Sequence, residues 1–368
     1  MRSRVPACVV LAGGVAGWRR ISASDRPFLD SRNLSNVRPS NQCMARTIIV
    51  AAAVALSAVQ DARPASPGRI VDIGGQHIHM HCTGAGSPTV LLENGTGDFS
   101  VVWALVQPQV AEFTRVCSYD RGGYAWSDPG TRPRTFAQLA LEARETLRAL
   151  DVSPPYVLVG QSYGGLVVRG FAREYRSEVV AMVLVDAVHE DQRVVYGGQP
   201  HRIRESATGR PFPTPRISLD LDLMHQANGL KNTKNNILEP PLDRMPASAQ
   251  TIWRWAQAQP LEQLAQQAEM EWSPEELERM HDERLGHRAT LGDLPLFVLA
   301  RTSVGYSSGT TSAANDLERE RRDLQQDLAA LSTRGRLIYA PRSGHNIHLE
   351  DPDLVVRVIR DAVSSAGR

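Results

Sequence analysis

The sequence carries no excess charge of either sign: 41 Lys and Arg face 40 Asp and Glu across 368 residues. Without a net field, bulk attraction to nucleic acid or to an anionic membrane surface is excluded as an organising principle. Cysteine is scarce. There are four, and two of them, Cys8 and Cys43, fall in the N-terminal stretch, which excludes a small disulfide-packed scaffold. The chain has no apolar run of the roughly 20 residues that a membrane-spanning helix needs. No tandem self-similarity at repeat-protein periods is present either. What is there is 42% hydrophobic and 22% charged residues, the composition of a globular protein with a full-sized core. The length suits one large α/β domain with an insertion, or two ordinary domains.

The N-terminal segment is set apart. The second half of residues 1–43 is polar and without a sustained period. Met44-Ala45-Arg46 then gives a basic start, residues 47–59 form an apolar run, and Gln60-Asp61-Ala62-Arg63-Pro64-Ala65 follows. That is the layout of a secretory signal peptide. Residues 1–65 are therefore expected to be a leader, with translation starting at Met44 and the mature protein exported to the periplasm or beyond. A disordered leader, or a first targeting signal reaching Val15, is the other reading. An exported chain keeps only Cys82 and Cys117, either as a bridge or as two buried thiols.

From residue 69 the pattern becomes regular. Residues 69–73 and 76–82 read as strands around the Gly74-Gly75 turn. Further strands are expected at 89–93, 115–119, 156–160, 181–185, 295–300 and 336–340. Helices are expected at 103–113, 135–150, 163–175, 317–331 and 353–364. In 135–150, Phe136, Leu139, Ala143, Leu147 and Leu150 share one face. Alternating helices and continuously apolar strands indicate a parallel sheet covered on both faces. The alternation stops in residues 188–290, which hold proline-rich loops and helical segments at 248–259 and 274–285. This stretch is read as an inserted helical cap on a core of residues 66–187 and 291–368.

The strongest chemical signal is Gly160-Gln161-Ser162-Tyr163-Gly164-Gly165, with an apolar strand before it and a helix after it. A chain that turns this sharply needs glycine on both sides of the serine, and the serine oxygen then projects above the sheet edge. Ser162 is the expected nucleophile. A hydroxyl is a weak nucleophile until a base takes its proton, and histidine has the suitable pKa. His345, in Ser343-Gly344-His345 just beyond a strand end, is the expected base, with His348 as its rival. His77, His79 and His81 are read as strand-face residues, and no metal site is expected. Backbone N–H groups of Thr96 and Tyr163, with Gly95 as an alternative, are expected to form an oxyanion hole. The acid is the open position. The loop after the penultimate strand begins Arg301-Thr302-Ser303-Val304 with no carboxylate. Asp186, at the carboxyl end of its strand, is preferred because catalytic groups gather at that edge of a parallel sheet. Asp316, at the start of a helix, is the alternative.

Asn94-Gly95-Thr96-Gly97, the segment from Tyr119 through Asp120-Arg121-Gly122-Gly123 to Asp128, the Ser162 motif, Val185-Asp186-Ala187 and Ser343-Gly344-His345 together resemble the α/β-hydrolase superfamily. The similarity runs over about residues 69–365 and is greatest to lidded bacterial serine carboxylesterase-like members, a group that also includes proline iminopeptidases. The resemblance implies an eight-stranded, mostly parallel sheet flanked by helices, in the order 1-2-4-3-5-6-7-8. It places Cys82 and Cys117 on neighbouring strands, which favours the bridge. It also implies that the insertion caps the active site. A departure is Asn94-Gly95 where His-Gly is common.

The expected activity is cleavage of a small-molecule carboxylic ester through an acyl-enzyme on a Ser-His-Asp triad, with no cofactor. Trp103 and Trp253, with Trp255 and Trp272, are candidates to wall an apolar pocket, against the alternative that they pack the cap onto the core. Rival readings are an aminopeptidase, thioesterase or lactonase on the same triad, and a catalytically silent ligand-binding protein of the same fold. For a peptidase, Glu269, Glu271, Glu275 and Glu276 are the available amine-binding carboxylates. The oligomeric state is not encoded in any motif.

Overall fold

The computed structural model describes residues 63–230, 237–302 and 312–366. The leader reading of residues 1–65 lies almost wholly outside them. Eight strands form one sheet: β1 (Arg69–Asp72), β2 (His77–Thr83), β3 (Thr89–Glu93), β4 (Val116–Tyr119), β5 (Tyr156–Gln161), β6 (Val179–Val185), β9 (Leu296–Arg301) and β10 (Gly335–Ala340). Their order is β1-β2-β4-β3-β5-β6-β9-β10. Only the β1–β2 and β2–β4 pairings are antiparallel. The expected order is reproduced, because the small hairpin β7 (Arg193–Tyr196) and β8 (Gln199–Arg202) stands outside the sheet.

The central strands are apolar on both sides because both faces are covered. Val157 and Val159 of β5 pack into the core on one face with Val183, Phe297, Leu299 and the helix side chains Val355, Val358 and Ile359. Leu158, between them, points the other way, towards Met182, Leu184, Val298, Ala140, Leu147 and Phe171. The first face is closed by α10 (Pro352–Ser365), whose N-cap Asp351 accepts from Leu354 N. The second is closed by α2 (Phe136–Ala149) and α3 (Gly164–Glu174); Thr135 caps α2 by accepting from Gln138 N. Cys82 and Cys117 face each other across β2 and β4 and are joined by a disulfide.

Two elements differ from expectation. The helix expected at 103–113 is a single turn of 3-10 helix, Ser100–Trp103, followed by the short α1 (Gln107–Val110). Pro108 sits in its first turn, where it starts a helix but cannot continue an earlier one. Between β6 and β9 the chain is not only helical. After the β7–β8 hairpin, which turns at Gly197-Gly198, come α4 (Leu221–Asn228), α5 (Ala247–Gln257), α6 (Pro260–Met270) and α7 (Ser273–Gly286). Both ends of this insertion are fastened by one buried carboxylate. Glu190 accepts from Arg169 of α3 and from Arg284 of α7, each at 2.7 Å. Helix α8 (Ser312–Ala329) then leads to β10, and α9 (Ile347–Glu350) precedes α10.

Candidate active site

The turn at Ser162 is built by steric necessity. β5 ends at Gln161 and α3 begins at Gly164, leaving two residues for the change of direction. Ser162 takes a left-handed conformation, φ 54°, which costs a non-glycine residue of order 1–3 kcal/mol and persists only where the surroundings enforce it. They do: Ser162 N donates to Val185 O at 3.1 Å and Gly165 N donates to Ser162 O at 3.0 Å. A Cβ on Gly160 would collide with Gly164 O, and one on Gly164 would stand 2.6 Å from Asn94 O.

His345 lies in the loop after β10, and its Nδ1 is 2.7 Å from Asp186 Oδ2. Asp186 directly follows β6 and is itself in a left-handed conformation, φ 41°. Its carboxylate is held from three sides. Arg301 Nη1 donates to Oδ2 at 2.8 Å, Arg321 Nη1 to Oδ1 at 2.9 Å, and Arg301 N to Oδ1 at 3.2 Å. Glu318 balances the two guanidiniums, accepting from Arg301 Nη2 at 3.1 Å and from Arg321 Nε at 2.9 Å. Burial pushes the Asp186 carboxyl up, but the hydrogen bond from His345 and the charges of Arg301, His345 and Arg321 outweigh it and hold the group below the usual carboxylate range.

The two alternatives are disposed differently. The Asp316 side chain is exposed and pairs with Arg319 at 3.6 Å, one helical turn away. His348 is completely buried, packed against Trp103 at 4.8 Å between ring centroids with the rings tilted by 42°. Burial, aided by the charge of His345, pushes it down to about 3, so it stays neutral.

The segment after β3 is shaped from beneath by Arg121. Its Nη1 donates to Asn94 O and its Nη2 to Gly95 O, both at 2.9 Å. The same guanidinium binds Glu93 Oε1 at 2.7 Å and, through Nε, Glu269 Oε1 of α6 at 2.7 Å. Asn94 is tied on both sides: its Nδ2 donates to Tyr119 O at 2.8 Å and its Oδ1 accepts from Trp103 Nε1 at 2.9 Å. Among the described residues, the N–H groups of Gly95, Thr96 and Tyr163 donate to no protein acceptor.

Gly95, Thr96, Ser162, Tyr163 and His345 line one cavity of about 830 Å³. Most of its wall surface is apolar, with Leu166 from α3 and Val188, Ile203, Met270 and Leu277 from the insertion, while Asp98, Arg193, Glu318, Glu320 and Arg321 add charged groups. Trp103 and Trp253 are not among the lining residues, which corrects the expectation that they wall the pocket. Trp103 is fully buried beneath the segment after β3 and Trp253 packs in the core. Trp255 meets Trp126 at 5.4 Å and Trp272 carries Arg210 over its ring at 4.0 Å, so these indoles also serve packing. Among the described residues, no cluster of three His, Cys, Asp or Glu side chains suits a metal ion. Ser162 Oγ and His345 share the cavity without a hydrogen bond between them among the described residues; His345 Nε2 instead lies 3.3 Å from the amide nitrogen of Gln161.

Sequence reasoning missed Arg301, Arg321, Arg121 and Gln161. For Arg301 there was a signal: a cation ending the strand after which a carboxylate was sought.

Residues 90–358 match the sequence model described as the alpha/beta hydrolase family. The chain is 25% identical over 287 residues to the uncharacterized protein YqjL of Bacillus subtilis, covering 78% of this chain and 88% of that one. It is 26% identical over 311 residues to a probable transporter of Hormonema carpetanum, covering 79% of this chain and spanning 42% of that protein's length. Among solved structures, a thermophilic esterase from Thermogutta terrifontis superposes with a TM-score of 0.52 at 19% identity, over 79% of this chain and 94% of the esterase.

Proposed function

The chain belongs to the alpha/beta hydrolase family, and from that premise we propose that it is a serine hydrolase cleaving a neutral carboxylic ester. The observation that carries the reading is the 2.7 Å contact between His345 Nδ1 and Asp186 Oδ2, with His345 lining the cavity that also receives Ser162. Asp186 holds the imidazole in the tautomer with Nδ1–H and leaves Nε2 as the base. Ser162 Oγ attacks the ester carbonyl carbon as His345 Nε2 takes its proton. The oxygen that becomes negative lies against the N–H groups of Thr96 and Tyr163, with Gly95 beside them. His345 then gives the proton to the departing alkoxide, and the alcohol leaves. Water, deprotonated by His345, attacks the acyl-enzyme, and the proton returns to Ser162 Oγ as the acid is released.

The apolar wall favours an uncharged acyl or alcohol group. An aminopeptidase reading is disfavoured because all four candidate carboxylates are bound to arginines. Glu269 accepts from Arg121, Glu271 and Glu275 from Arg210, and Glu276 from Arg279. Residues 188–290 act as a cap on a core of residues 66–187 and 291–368; six of the apolar lining residues, Val188, Val194, Val195, Ile203, Met270 and Leu277, come from that stretch. The disulfide supports export to an oxidising compartment.

The test is hydrolysis of a p-nitrophenyl ester series of increasing acyl length, beside Ser162→Ala. Activity is expected in the parent and absent in the variant. Equal activity in both would remove Ser162 from the role, and activity only on amino-acid arylamides would replace the esterase reading.

A further inference from the structure

We propose that Gln161 restrains the general base, engaging His345 until an arriving substrate displaces its amide; this rests on the reading of Ser162 and His345 as nucleophile and base. Gln161 is the last residue of β5 and is buried. Its amide nitrogen lies 3.3 Å from His345 Nε2 and 3.5 Å from the main-chain oxygen of His345. Both are acceptors. The carbonyl is one always, and Nε2 carries a lone pair because Nδ1 donates its proton to Asp186 Oδ2. The NH2 end of the amide therefore faces His345. The oxygen end points the other way, between Gly95 and Ser162. A Cβ placed on Gly95 would collide with Gln161 Oε1 and stand 3.3 Å from Ser162 Cβ. Among the described residues, Oε1 is buried and receives no hydrogen bond.

The lone pair on Nε2 is the one that must accept the Ser162 proton. While an amide N–H points into it, the hydroxyl cannot use it. The restraint is light, because 3.3 Å is long for a hydrogen bond and the oxygen of the same amide is left unsatisfied. It is also placed to respond to substrate. An ester carbonyl seated beside Gly95 brings a second acceptor oxygen against Oε1, and the repulsion drives the amide off His345. Arrival of the ester and release of the base then become one event.

The test uses a small alkyl fluorophosphonate. Ser162 Oγ attacks phosphorus, its proton passes to His345 and fluoride leaves. Gln161→Met removes the amide, and Gln161→Asn keeps an amide too short to reach His345. The maximal labelling rate is expected to rise about 3- to 10-fold in both, the range for losing one neutral hydrogen bond, with the apparent reagent affinity unchanged. Thermal melting identifies a folded variant; if Gln161→Met does not fold, Gln161→Asn decides. Labelling at the parent rate or slower in a folded variant overturns the restraint. Absence of labelling in the parent and in both variants would instead remove Ser162 as the nucleophile, and the restraint with it. Faster labelling in a Gln161 variant that Ser162→Ala does not share supports both.

Discussion

Two buried arginine clusters flank the site, and they do different work. Under the segment after β3, Arg121 joins Glu93 of β3 to Glu269 of the insertion and donates to the carbonyls of Asn94 and Gly95. There the guanidinium shapes backbone, and it is sealed from solvent. At the other end, Arg301 and Arg321, which line the cavity, hold the buried side chain of Asp186 behind it. There they shape a charge. The first cluster also fixes the insertion to the core, so its removal should be felt in stability. The second is expected to be felt first in turnover.

The largest effect should come at the carboxylate on which the second cluster converges. Asp186→Asn keeps the shape but no longer secures the Nδ1–H tautomer, and turnover should fall about 10⁴-fold with the fold retained by circular dichroism. Near-parent turnover would move the acid elsewhere, Asp316 first. Next comes Arg121→Met, which leaves Glu93 buried without its cation and Glu269 with only Arg134, at 4.0 Å. Denaturant unfolding should show a loss of about 3–5 kcal/mol. A variant as stable as the parent would contradict the contrast between the clusters.

Arg321→Met should lower turnover by roughly tenfold, about 1.4 kcal/mol of lost positioning, and cost less stability than Arg121→Met because Arg301 still covers Asp186. A larger stability loss at Arg321 than at Arg121 would reverse the comparison. The effect that appears only on acidification concerns a buried group that stays neutral. His348 titrates at about 3 in the folded protein and near 6.5 when unfolded. Below pH 6.5 the unfolded chain binds the extra proton, so stability falls with pH from about 6.5 towards 3, by up to about 1.4 kcal/mol per pH unit. His348→Phe should flatten that slope in denaturant melts between pH 6.5 and 4.5.

Legibility followed the range of the interactions. The turn at Ser162 could be read because strand, glycines and helix are contiguous and each residue acts on its neighbours. The strand order could be read from the resemblance, and Asp186 from its place at a strand end. The β7–β8 hairpin was harder, since Pro200 lies within β8 and the strands belong to no larger sheet. The arginine cage could not be read at all: Arg301 and Arg321 reach Asp186 across 115 and 135 residues. The indoles misled because tryptophan suits a pocket wall and a core equally well, and only burial separates the two.

By itself the sequence determined the alternating strands and helices, the sharp turn at Ser162, and the order in which Ser162, Asp186 and His345 occur. These follow from local periodicity and from which residues tolerate a left-handed backbone. The tertiary structure decided which carboxylate meets His345, which cations hold it, and that Gln161 rather than Ser162 lies against Nε2. Those contacts depend on how the edges of β5, β6, β9 and β10 converge, and spacing along the chain does not encode distance between segments more than a hundred residues apart.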